Sequence, residues 1–114
     1  MNNIKLRGLS LFANVGIAEA FLESIGVHME VANELLPERA KFYQDVYPTT
    51  HMICGDITDD NIRTAIIEES KAKNVNFVMA TPPCQGMCRV GKMQEFDVRN
   101  RLIYYAVDVI KRLN

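Results

Sequence analysis

Four short apolar runs, each closed by turn residues, alternate with stretches of helical spacing, and this rhythm is what most restricts the fold. The first run lies within Lys5–Phe12. Asn14-Val15-Gly16 forms a turn, and Ala18, Phe21, Leu22 and Ile25 then mark a helix over Ile17–Ile25 that stops at Gly26. A second strand is expected over Val27–Ala32, ending at Asn33-Glu34, and Pro37 opens a helix that runs to Val46 and halts at Pro48. His51–Cys54 reads as a third strand. Asp59 or Asp60 caps a helix over about Asn61–Lys73, in which Ile62, Ala65, Ile66 and Glu69 share one buried face. Asn76–Ala80 is the fourth strand, residues 89–98 read as a long loop, and Leu102, Ile103, Ala106, Val107 and Ile110 mark a last helix. Strands and helices in this order form βαβ units with right-handed crossovers, hence an α/β fold with a parallel sheet of about four strands flanked by helices.

The fourth strand runs into Thr81-Pro82-Pro83, and neither proline can donate an N–H to a ladder. Cys84 is thereby delivered at the carboxyl end of a strand, the end at which open α/β sheets bind ligands, with Gly86 behind it to let the backbone bend. Taken alone, such a cysteine is more often a small buried hydrophobe than a nucleophile. Cys84 and Cys88 as metal ligands, with Cys54, His28 and His51 recruited, is a third possibility, but no second ligand pair stands at a suitable spacing. No metal site is expected.

Size and charge narrow the functions. At 114 residues the chain holds one domain at most, and 48% hydrophobic with 24% charged residues is the balance of a water-soluble globular protein. No apolar run approaches a membrane span, and the first residues lack the apolar centre of a secretory signal. Three cysteines without a signal point to a reducing compartment, the cytoplasm by default. The net charge of −1 offers no basic surplus for gripping duplex DNA unaided.

Pro82-Pro83-Cys84-Gln85-Gly86 resembles the catalytic motif of the DNA (cytosine-5)-methyltransferases, with Met87 and Cys88 where phenylalanine and serine are usual. The resemblance covers Leu9 to about Ile110. Phe12-Ala13-Asn14-Val15-Gly16-Ile17 is similar to the family's Phe-x-Gly-x-Gly-Gly turn, with Asn14 and Ile17 at two of the glycine positions. Asparagine tolerates left-handed backbone, whereas Ile17 is expected to narrow the approach of a ligand. Glu34, at the end of the second strand, matches the carboxylate that holds the ribose of S-adenosylmethionine, beside Leu35. Asp56 matches the residue that receives the adenine amino group, with Ile57 against the ring. The resemblance further places Pro83 and Leu102 at the cofactor and Gln85, Gly86 and Arg89 at the substrate, while Arg99 and Asn100 fix the loop.

The resemblance therefore implies a Rossmann-like S-adenosylmethionine-dependent methyltransferase sheet and methylation of cytosine C5 in DNA, the kind of enzyme found in restriction-modification. In that resemblance Cys84 takes the part of the nucleophile that attacks C6. It also implies that residues 1–114 are the N-terminal portion of a single catalytic domain without a target-recognition domain, inactive alone. Double-stranded DNA is a partner only together with the C-terminal part. An exposed sheet edge invites a second chain or self-association. The alternative is a non-catalytic methyltransferase-like module that binds a nucleotide or a protein.

Overall fold

The strands end where their sequences stop supporting a ladder. In the computed structural model, residues 6–82 and 98–114 are described, the side chains of residues 98–100 excepted. Strand β1 (Leu6–Leu11) gives way to Phe12, whose φ of 58° is incompatible with extended pairing. After helix α1 (Ile17–Glu23), Gly26 turns the chain at φ 90°, the role expected of a glycine after a helix, although the helix closes two residues earlier than its apolar spacing suggested. Strand β2 (Val27–Glu34) carries the pairing through Asn33 and Glu34. Helix α2 (Pro37–Val46) has its proline in the first turn, and β3 (His51–Cys54) follows. Helix α3 (Asp60–Ala72) is capped by Asp59, which accepts the N–H of Asn61 at 2.8 Å. Strand β4 (Phe77–Ala80) and helix α4 (Val98–Leu113) complete the order, the helix starting at the end of the stretch read as a loop.

All four strands are parallel, in the order β3-β2-β1-β4. The chain moves outward from β1 to β3 and then returns across the sheet to β4. Right-handed crossovers place helices from these two opposite movements on opposite faces. The core bears this out. Leu9, Leu11 and Val31 pack with Ile57, with Ile66 and Ile67 of α3, and with Ala106 and Val109 of α4. On the other face Ala32 packs with Ala13 and with Tyr43 of α2. The strand order turns back between β1 and β4, the kind of switch point at which open α/β sheets bind ligands. Among the described residues, no strand pairs with the outer side of β4.

Three helix faces differ from the pattern read in the sequence. In α3 the buried set is Ile66, Ile67 and Ser70, with Ala65 exposed. In α4, Ile103, Val107 and Ile110 are exposed while Ala106 and Val109 are buried. In α1 the apolar stripe Ile17, Phe21 and Ile25 is 71, 73 and 63% exposed, and the inward position is Glu19, 2% exposed. Periodicity locates a stripe but does not say which partner covers it.

Arg63 joins the two helices of the first face. Its Nε lies 3.2 Å from Asp108 of α4, its Nη1 donates to the Ile57 carbonyl at 2.9 Å, and the guanidinium stands 4.9 Å from the centre of the Tyr105 ring.

Candidate functional site

The β1–α1 turn is built on left-handed backbone. Asn14 has φ 56° and Gly16 φ 81°. A side chain on Gly16 would also meet the tyrosines of α2, since an added Cβ would lie 2.5 Å from Tyr47 Cε2 and 2.9 Å from the Tyr43 ring. Tyr47 donates its hydroxyl to the Gly16 carbonyl at 2.5 Å and stacks at 4.9 Å on Tyr43. The turn therefore rests on a pair of aromatic rings. Burial, reinforced by the negative charge of Glu19, pushes the Tyr43 phenol well above its ordinary range, and the same causes raise Tyr47.

The second strand tip reaches across to this turn. Glu34, 6% exposed, accepts the N–H of Asn14 through Oε1 at 2.8 Å and that of Leu36 through Oε2 at 3.0 Å. Each carboxylate oxygen keeps a further acceptor site. Asn33 spends both amide hydrogens on the third strand tip, donating to the carbonyls of Ile53 at 2.8 Å and Gly55 at 3.1 Å. Asp56 follows directly, its Oδ1 accepting from the N–H and the hydroxyl of Thr58 at 2.9 and 2.8 Å. Thr81, just past β4, donates its hydroxyl to the Phe12 carbonyl at 3.3 Å and so holds the fourth strand exit against the first.

These tips enclose a cleft of about 370 Å³, a volume within the range of small-molecule sites, roughly 300–1,000 Å³. Of the cofactor residues expected from the sequence, Phe12, Asn14, Glu34, Leu35, Asp56, Ile57 and Leu102 line it together. Ala13, Gly16 and Ile17 do not. Ala13 is buried beneath the turn against Ala32 and Tyr43, Gly16 sits on the tyrosines, and Ile17 borders a smaller neighbouring hollow rather than narrowing the main cleft. Pro83, Cys84, Gln85, Gly86 and Arg89 lie outside the described residues. Asn33, Leu36, Arg39, Gly55 and Thr81 also line the cleft. Asn33 and Gly55 adjoin expected residues and could have been found by that adjacency, whereas Arg39 is brought in only by the direction in which α2 leaves the sheet.

The chemistry of the lining suits an adenosine-bearing ligand. Carboxylates at two strand tips offer acceptors for hydroxyl and amino hydrogens, and Phe12, Leu35, Ile57 and Leu102 supply apolar surface for a flat base. Among the described residues no group of three or more acidic, histidine or cysteine side chains could hold a metal ion, and no helix is long and apolar enough to cross a membrane.

Comparison with known proteins bears on the family and the fold. The family model for C-5 cytosine-specific DNA methylase matches residues 6–114. The Type II methyltransferase M1.HgaI of Avibacterium volantium is 42% identical over 113 residues, 95% of this chain and 32% of that protein. The Type II methyltransferase M.XorII of Xanthomonas oryzae is 28% identical over 93% of the chain and 25% of its own length. A tRNA (cytosine(38)-C(5))-methyltransferase of Rattus norvegicus is 27% identical over 95% of the chain and 27% of its own length. The chain thus spans about a quarter to a third of these relatives. Two solved structures share the fold. A Spodoptera frugiperda DNMT2 variant has a TM-score of 0.65 at 21% identity, covering 96% of this chain and 33% of that one. A putative DNA modification methyltransferase encoded within an E. coli prophage has a TM-score of 0.71 at 20% identity, covering 96% and 29%.

Proposed function

The chain belongs to the C-5 cytosine-specific DNA methylase family, whose methyl donor is S-adenosylmethionine, and from that premise we propose that its cleft is the donor site of a DNA cytosine C5 methyltransferase. The observation that carries the reading is the meeting of Glu34, Asp56 and Leu102, from three separate parts of the sequence, around one cleft. Glu34 retains acceptor capacity for ribose hydroxyls, and Asp56 Oδ2 is open to an adenine amino group. When bound, the donor supplies an electrophilic methyl group. DNA is favoured over tRNA as the substrate because the Type II relative is 42% identical and the tRNA-modifying one 27%.

Cytosine C5 is too weak a nucleophile to take a methyl group unaided. The Cys84 thiolate adds to C6, which makes C5 enamine-like, and the base must leave the duplex for this to happen. Gln85, Gly86 and Arg89 contact the extruded base. The 114 residues form the N-terminal portion of one catalytic domain, contributing the donor site and the nucleophile, and are inactive until joined by a polypeptide that carries the acid for the cytosine ring and the recognition residues. The unpaired outer side of β4, together with exposed apolar residues of α1 and α4, offers the surface on which that polypeptide docks. The odd cysteine count and Cys54, an exposed free thiol, fit a cytoplasmic enzyme.

Titration calorimetry with S-adenosylmethionine tests the donor site, and no binding heat would sink it. Methyl transfer to duplex DNA should appear only when the chain is mixed with a polypeptide completing the domain. It should vanish in Cys84→Ser, and survival of activity in that variant would remove the nucleophile assignment.

A further inference from the structure

Two apolar walls of the main cleft come from different elements. Ile57 stands in the loop between β3 and α3, and Leu102 stands near the start of α4. They are far apart in the chain, so their spacing depends on how α4 is held against the β3–α3 loop.

Arg63 makes that connection. It does not line the cleft, and its side chain is only 13% exposed. All three nitrogens of the guanidinium are engaged. Nη1 donates to the Ile57 carbonyl at 2.9 Å, Nη2 donates to Asp60 Oδ1 at 3.0 Å, and Nε forms an ion pair with Asp108 Oδ2 at 3.2 Å. The group also lies 4.9 Å from the centre of the Tyr105 ring. Tyr105 and Asp108 follow Leu102 at successive three-residue steps along α4, so these contacts reach the part of the helix that carries the cleft wall. Asp60 meanwhile fixes the guanidinium to its own helix. One planar, permanently charged group thus grips the backbone of one wall and the helix of the other. Ile66 and Ile67 also press α3 against Ala106 and Val109, but apolar burial is non-directional. A fork of donors in fixed directions sets how one element is registered on the other.

We propose that Arg63 is a positioning residue for ligand binding: without touching the ligand, it sets the distance between Ile57 and Leu102, and so the width of the slot that takes the flat base. The proposal rests on the donor-site reading of the cleft and goes beyond it by placing a determinant of affinity outside the cleft, at the junction of α3 and α4. The effect is one of preorganisation, since a slot already at its working width costs less to fill. An arginine that served stability alone would leave the affinity of folded molecules unchanged.

Titration calorimetry of the 114-residue chain with S-adenosylmethionine separates the two roles. It is run at about 10 °C, near the temperature of greatest stability, on variants first shown to be folded by circular dichroism. In Arg63→Met the dissociation constant should rise about three- to thirtyfold. Asp108→Ala removes the α4 end of the link at a half-exposed position that does not line the cleft, and should raise it about two- to tenfold. This variant decides the matter if Arg63→Met fails to fold. In a chain already carrying Leu102→Ala one wall is gone, and Arg63→Met should add no more than about a twofold loss. Parent affinity in either folded variant of the link overturns the assignment, as does an undiminished Arg63→Met penalty beside Leu102→Ala. In those outcomes the parent still binds, and the donor-site reading stands. No binding by the parent overturns both.

Discussion

Glu34 Oε1 accepts the N–H of Asn14 at 2.8 Å across a separation of 20 residues, so the acid that ends the second strand also fastens the turn that follows the first. With Leu36 on its other oxygen, this carboxylate ties together two loops that would otherwise be free to separate.

Replacing Glu34 should therefore cost stability as well as ligand binding. Glu34→Ala leaves two N–H groups without their acceptor and should lower the unfolding free energy by about 2–4 kcal/mol in a urea titration. Glu34→Gln, with one carbonyl in place of two carboxylate oxygens, should fall between.

Asn14 tests the left-handed turn directly. At φ 56°, glycine should be accepted with a change within about 1 kcal/mol, whereas Asn14→Val should cost about 1–3 kcal/mol because a branched side chain resists that conformation. Equal stabilities for the two variants would contradict the turn geometry.

Gly16→Ala should be worse than either, since it adds strain at φ 81° and drives a methyl group into Tyr47 and Tyr43. A loss of about 2–4 kcal/mol is expected, read as a lower urea midpoint with an unchanged slope.

Alkaline pH should act through Tyr43. Its phenol titrates higher in the folded chain than the ordinary value of 10.0 because it is buried and faces Glu19. Below pH 10 both states hold the proton and no stability is lost. Above it the unfolded chain releases a proton that the folded chain retains, so stability should fall by about 1.4 kcal/mol per pH unit from this group. Urea titrations between pH 8 and 11 should show the decline, and Tyr43→Phe should flatten it.

Arg63 connects α3 to α4 through Asp108, the Ile57 carbonyl and Tyr105. Arg63→Met keeps much of the bulk but breaks these links, leaving Asp108 its remaining partner Arg112 at 3.3 Å. A loss of about 1–3 kcal/mol is expected in thermal or urea unfolding.

Much of this architecture was readable in the sequence because its punctuation is chemically strict. Pro37, Pro48, Gly26 and Asp59 bound the elements where their backbone chemistry requires, and the alternation of apolar runs with helical spacing gave the parallel sheet. Helix orientation was less readable. The stripe Ile17, Phe21 and Ile25 has the spacing of a core face, yet the side of α1 toward the sheet carries Glu19. Seven of the expected cofactor residues meet at the cleft, and they were expected there from the resemblance to the methyltransferase motifs rather than from local propensity. Arg39, Thr81 and the buried Glu19 acquire their interest only from neighbours distant in the chain, and no local pattern carries that information.

The amide of Asn33 has a wider consequence. By stitching one strand tip to the next with both its hydrogens, it sets the gap between the acids at 34 and 56 before any ligand arrives. The two therefore behave as the jaws of a preset gauge. On the proposed donor-site reading, recognition of a sugar and of a base then becomes a single measurement, in which a change that shifts one jaw miscalibrates the other.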